Sequence, residues 1–124
     1  MINIMYIAAG GALGAVMRYL VSTGIHSILG RGFPYGTLTV NVLGSFLMGF
    51  LFIFMFERSS LGPEWRALIL IGFLGAFTTF STFSIETLNL VESGAMARAM
   101  ANILVSVITC ILATWLGVIL GRQL

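Results

Sequence analysis

Long uncharged runs, mostly apolar, alternate along the chain with short polar breaks. They cover 32–56, 67–85 and 99–121, and 1–30 is interrupted only by Arg18. A helix needs roughly 20 apolar residues to cross the hydrocarbon of a bilayer, and each run reaches that length. The pattern predicts four transmembrane helices, over about 3–24, 35–56, 66–91 and 97–121. Together they fill 1–124 as a single domain of an all-α membrane protein. Pro34 and Pro63 fall just ahead of two spans, where proline suits a first helical turn. Tyr6, Tyr35 and Trp65 lie near span starts, as in an interfacial aromatic belt. The opening "MINIMYIAAGG" lacks a basic leader and enters its apolar run at once, so it predicts a retained helix rather than a cleaved signal.

Composition narrows the class. Of 124 residues, 59% are apolar and 8% charged, too few polar groups to cover a soluble domain. The solvent is therefore a lipid bilayer. A net charge of +2 is too small for a nucleic-acid partner. The single cysteine, Cys110, excludes a disulfide framework and a cysteine metal site. No nucleophile–base pair or metal cluster is visible, so the sequence does not read as an enzyme. His26, placed just beyond the first predicted span, reads as an interfacial bystander.

All six cations are arginines and all four anions glutamates. Four spans put both termini on one side with Arg58, Arg66 and Arg122. Arg31 and Arg98 fall on the other side, joined by Arg18 if it snorkels there. The positive-inside rule works on this difference and finds almost none. Two readings follow: insertion in both orientations with antiparallel pairing of two copies, or a weak bias blurred by loop boundaries.

Polar residues recur inside the spans at helical spacing. Thr37, Asn41 and Ser45 share a face of the second span, and Asn102, Ser106, Cys110 and Thr114 a face of the fourth. A lone Ser or Thr in a span usually bonds its own backbone, but buried asparagine needs a partner. Two asparagine-bearing stripes point to a polar path or a polar helix–helix seam. Gly10 and Gly14, Ser45 and Gly49, and Gly117 and Gly121 form small-xxx-small pairs that permit close helix approach. Arg18 and Glu86 are the charges nearest span interiors. Such charges suggest function by default, against which stands snorkelling of Arg18 beside Tyr19.

The third span holds the densest signal, "GAFTTFSTFS" at 75–84. Five of its last seven residues carry hydroxyls. Gly72 and Gly75 precede this run of mediocre helix formers. One reading is a helix break whose freed carbonyls could hold a small cation. The other is a continuous helix whose hydroxyls back-bond. Phe80 and Phe83 are about one turn apart. An aromatic ring has a positive edge, so ring edges, asparagine NH2 groups and hydroxyls together favour a small anion without a fixed cation.

The blocks "GGALGAVMRY" (10–19), "GTLTVNVLGSFLMG" (36–49) and "GFLGAFTTFSTFSIE" (72–86) resemble the Fluc (CrcB-like) family of microbial fluoride channels. With the four-span plan, the resemblance covers essentially the whole chain. It implies an antiparallel, dual-topology homodimer that passively conducts fluoride out of the cell. In it, Phe80 and Phe83 would line the path with ring edges and Asn41 would donate to the ion. Ser81, Thr82, Asn102, Ser106 and Glu86 would lie along or near the path, and Arg18 in an aqueous vestibule. A structural sodium would sit at the dimer axis on main-chain oxygens of Gly75 and Thr78. Ala76 stands where the family often has glycine. A rival with the same span count is a small multidrug-resistance-type proton-coupled exporter. It needs a membrane-embedded carboxylate, and the first span has none.

Overall fold

The computed structural model describes residues 2–124, with side chains from Asn3 onward. Among these residues every element is helical. Four stretches are long and apolar enough to span a membrane: Asn3–Leu29, Tyr35–Arg58, Pro63–Glu92 and Met96–Gln123. Helix α1 is Ile2–Leu29, and α2 is Tyr35–Ile53, continued by a π-helical turn, Phe54–Arg58. The third span is two pieces, α3 over 63–77 and α4 over Phe80–Glu92; α5 is Met96–Gln123. Most of α3, Ala67–Leu74, is wound as a π-helix, a rare form frequent at functional sites.

Glycine stops two of the helices. α1 continues past its expected end near 24 to Leu29, where Gly30 takes a φ of 84°. The Gly30 amide then bonds the His26 carbonyl at 2.8 Å. His26 therefore belongs to the last turn of α1, buried against Gly36, rather than beyond the span. At the α4–α5 turn, Gly94 also has a φ of 84°, with Ala95 N bonding Leu90 O at 2.8 Å and Gly94 N bonding Val91 O at 3.1 Å. This is the paired bonding of a Schellman cap, which needs a left-handed residue at that position.

Two helix pairs dominate the packing, α1 against α3 and α2 against α5. The backbones nearly touch. A Cβ at Gly10 or Gly14 would overlap the Leu68 or Phe73 carbonyl, and one at Gly49 or Gly117 the Thr114 or Phe46 carbonyl. Lipid supplies no hydrophobic force between helices, so dispersion across such seams carries the association. Between the pairs lies a small core of Met55, Leu70 and Leu74, flanked by Leu47, Leu51 and Phe73. The exterior is apolar, with Leu13, Leu20, Ile108, Ile111 and Trp115 all more than half exposed. Asn102 and Ser106 are buried instead, the arrangement a hydrocarbon solvent selects.

Candidate functional site

The site is built around the gap between α3 and α4. Thr78 (φ −85°, ψ 157°) and Thr79 (φ −151°, ψ 117°) are extended, so the third span is broken. The gap falls on two β-branched residues, whose stiff side chains suit extended backbone, and not on Gly72 or Gly75. Inside a bilayer its backbone groups must find partners within the protein, and side chains from two other helices and from the gap itself supply them.

Asn41 of α2 grips the Thr79 backbone from both ends. Its Nδ2 donates to Thr79 O at 3.0 Å, and its Oδ1 accepts from Thr79 N at 2.7 Å. Arg18 of α1 donates from Nε to the Ala76 carbonyl at 3.0 Å, a charge-assisted cap on the C-terminal end of α3. Thr79 caps the N-terminus of α4, its Oγ1 accepting from Thr82 N at 3.2 Å. The same hydroxyl lies 3.0 Å from Thr82 Oγ1 and 3.3 Å from Ser81 Oγ. Back-bonding also occurs, Thr78 Oγ1 to Leu74 O at 3.0 Å and Ser84 Oγ to Phe80 O at 2.9 Å. The break and the back-bonded hydroxyls, alternatives in the sequence, coexist.

This bonding leaves a pattern among the carbonyls. The α-helical donor for Gly75 O would be Thr79 N, which is taken by Asn41. The donor for Thr78 O would be Thr82 N, which is taken by Thr79 Oγ1. Both carbonyls are thus deprived of their i+4 amides, and an oxygen in that condition in lipid is suited to a small cation.

Beside the break opens a cavity of about 400 Å³, walled by Asn41, Thr78, Phe80, Phe83, Ser106 and Cys110, among others. Phe83 is 8% exposed and Phe80 75%, their centroids 5.3 Å apart with planes tilted by 47°. Phe83 is fixed in the fold, whereas Phe80 projects from it. Asn102 stands behind the wall. Ser106 Oγ donates to Asn102 Oδ1 at 3.2 Å, Asn102 Nδ2 to Thr87 Oγ1 at 2.8 Å, and Thr87 Oγ1 to Phe83 O at 2.7 Å.

Of the residues expected at the site, the cavity wall unites Asn41, Thr78, Phe80, Phe83 and Ser106. Ser81, Thr82, Glu86, Arg18, Asn102 and Gly75 lie outside the wall. Arg18 ties down the break, and Glu86 is half-buried, its Oε1 without a partner among the described residues. Thr87 was not anticipated. Its i−4 bond to Phe83 O is what any threonine in a span does, so only its acceptance from Asn102, 15 residues away, reveals it.

Four membrane-capable helices, the third broken beside a largely apolar cavity that holds Asn41 and several hydroxyls, define a small multi-pass membrane protein. Comparison with known families makes the class particular. Residues 5–118 match the family described as CrcB-like protein, Camphor Resistance (CrcB), and the chain belongs to that family. It is 54% identical over 123 residues to a protein of Methylococcus capsulatus, covering 99% of this chain. The chain spans about half (54%) of that protein's length. It is 52% identical over 120 residues to a Magnetococcus marinus protein, covering 97% of this chain and 98% of the relative. With a Coxiella burnetii protein it shares 54% over 123 residues, covering 98% and 99%. Each of these relatives is named a fluoride-specific ion channel, FluC.

Proposed function

We propose that this chain is a fluoride-selective channel that passively exports fluoride from the cell and so lowers its toxicity. The observation that carries the reading is the composition of the cavity wall, in a chain about half identical to proteins named fluoride-specific ion channels. The wall holds no carboxylate and no fixed cation. It offers ring edges, an asparagine amide and hydroxyls, which interact with an anion moderately enough for it to leave again. Asn41 Nδ2 carries two hydrogens, and Thr79 O takes one. The second is available to the ion. Fluoride sheds its water in stages as this donor and the edges of Phe80 and Phe83 replace it, the Ser106 hydroxyl joining them once its proton turns away from Asn102 Oδ1. A larger, softer anion gains less from donors held at short range.

The working unit in this reading is an antiparallel homodimer of chains inserted in both orientations. The near balance of arginines across the membrane supports it, as does the exposure of Phe80 and Gly75 on a single chain. A second copy laid against the break would cover both. A structural sodium at that junction would be held by the Gly75 and Thr78 carbonyls, for which the diverted amides argue. The ion would supply local positive charge and bind the two broken spans together.

The test is efflux from liposomes holding purified protein, loaded with potassium fluoride or potassium chloride, with valinomycin added to relieve charge build-up. Rapid fluoride efflux without a proton gradient, and little chloride efflux, is expected. Failure of both anions to move overturns the pore and turns attention to proton-coupled drug exchange, which the names of the relatives do not favour.

A further inference from the structure

Away from the break, a second cavity of about 460 Å³ opens between α1, the end of α2 and the start of α3. Its polar end is formed by Asn3 and Arg66, each in the first turns of its helix, and its depth by Ile7, Met48, Leu70 and Ile71. Ile71 lies five residues, more than one helical turn, further along the span than Arg66. The site is therefore polar at the headgroup level and apolar below it.

Arg66 is the unusual member. Its guanidinium carbon lies 4.1 Å from the centroid of the Phe56 ring. Its Nε–H is sealed from solvent with no acceptor among the described residues. The other cations at this end are engaged: Arg122 pairs with Glu57 at 3.7 Å, and Arg58 donates to the Arg122 carbonyl. Arg66 lines the cavity mouth, and the two terminal nitrogens of a guanidinium fork match a phosphate bidentately. The phenyl face beneath adds cation–π attraction and holds the fork at the cavity mouth.

We infer that this cavity binds an anionic glycerophospholipid, its phosphodiester on Arg66 and one acyl chain running down between Ile7 and Ile71. An anionic headgroup fits better than a zwitterionic one. Among the lining residues Arg66 brings the one charge; of the two glutamates next in sequence to the lining, Glu57 is paired with Arg122 and Glu64 is not part of the wall.

The test is thermal unfolding of the 124-residue chain in mild detergent, titrated with phosphatidylglycerol, phosphatidylcholine or inorganic phosphate. Phosphatidylglycerol should raise the Tm of the unmodified chain by several degrees, and the other two should not. Arg66→Gln should lose that increment. Ile71→Trp should lose it too, because Ile71 is 61% exposed on the single chain and the larger ring fills the groove. Equal increments in all three proteins, or an increment from phosphatidylcholine of the same size, would overturn the site. An increment reproduced by inorganic phosphate makes it a free-anion site and overturns it as well. So does disulfide cross-linking of two copies through Ile71→Cys, which would assign the groove to a second chain.

Discussion

Asn41 and Thr79, 38 residues apart, form a closed pair: the Asn41 amide both donates to and accepts from the backbone of Thr79, at 3.0 and 2.7 Å. The Asn41 oxygen thereby substitutes for the helical acceptor that the break takes from Thr79 N–H, and the side-chain NH2 adds a second donor to the N-cap carbonyl. It still retains one hydrogen directed to neither.

From that pair follows the first prediction. Asn41→Ala leaves the Thr79 N–H without a partner, at a cost of about 1–3 kcal/mol if it stays dry, and takes the second of two donors from the Thr79 carbonyl, which as the N-cap keeps its intrahelical one. The variant should melt well below the unmodified protein and lose fluoride efflux. A Tm within a degree of the original would show that water or a neighbour replaces the amide.

Phe80 offers the opposite case. Being 75% exposed on the single chain, it contributes little to the fold of one subunit. Phe80→Ile should elute and melt like the unmodified protein while fluoride efflux from liposomes falls about tenfold, the rate equivalent of roughly 1.4 kcal/mol of ring-edge interaction. Unchanged flux in the folded variant would remove the ring edge from the pathway.

Thr87 is predicted to matter through its oxygen. Thr87→Val keeps the shape but strips Asn102 Nδ2 of its acceptor, at about 1–3 kcal/mol. It also frees Asn102 to reorient and release the Ser106 hydroxyl. Thr87→Ser should restore both stability and flux, measured as Tm and efflux side by side. Failure of serine to rescue would assign the effect to packing of the methyl group.

If the diverted carbonyls of Gly75 and Thr78 hold sodium, exchanging it for N-methylglucamine should lower the dimer fraction and the flux together, and returning sodium should restore both. Light scattering and efflux on the same preparation make the measurement. Indifference of both to sodium would sink the cation site.

How much of this was legible depends on the range of the interaction. The four spans follow from uninterrupted apolar runs, a local property. The break was legible as a possibility, because hydroxyl and β-branched residues crowd 75–84. Its position was not, since it is fixed by Asn41 and Arg18, 38 and 58 residues from their partners. Periodicity placed Asn41 on a polar face but could not tell whether its amide serves the ion, the backbone or both. Arg18 was expected in a vestibule, and its bond to Ala76 O is a tertiary contact without a local signature. The first span was expected to end near 24, yet Gly24 is helical and the left-handed stop is Gly30. The π-helical winding of Ala67–Leu74 has no periodic mark in eight apolar residues.

The glycine seams described above have a mechanical consequence. With carbonyl pressed against Cα along α1–α3 and again along α2–α5, neither pair can slide without driving backbone into backbone. Each behaves as a strut. Thermal motion is then channelled into the short lever of α4, which meets α5 through far fewer neighbours and pivots on two extended threonines. Any breathing that widens the passage past Phe83 should therefore turn on Thr78 and Thr79. Amide hydrogen exchange should be faster along Phe80–Glu92 than at Gly14 or Gly117.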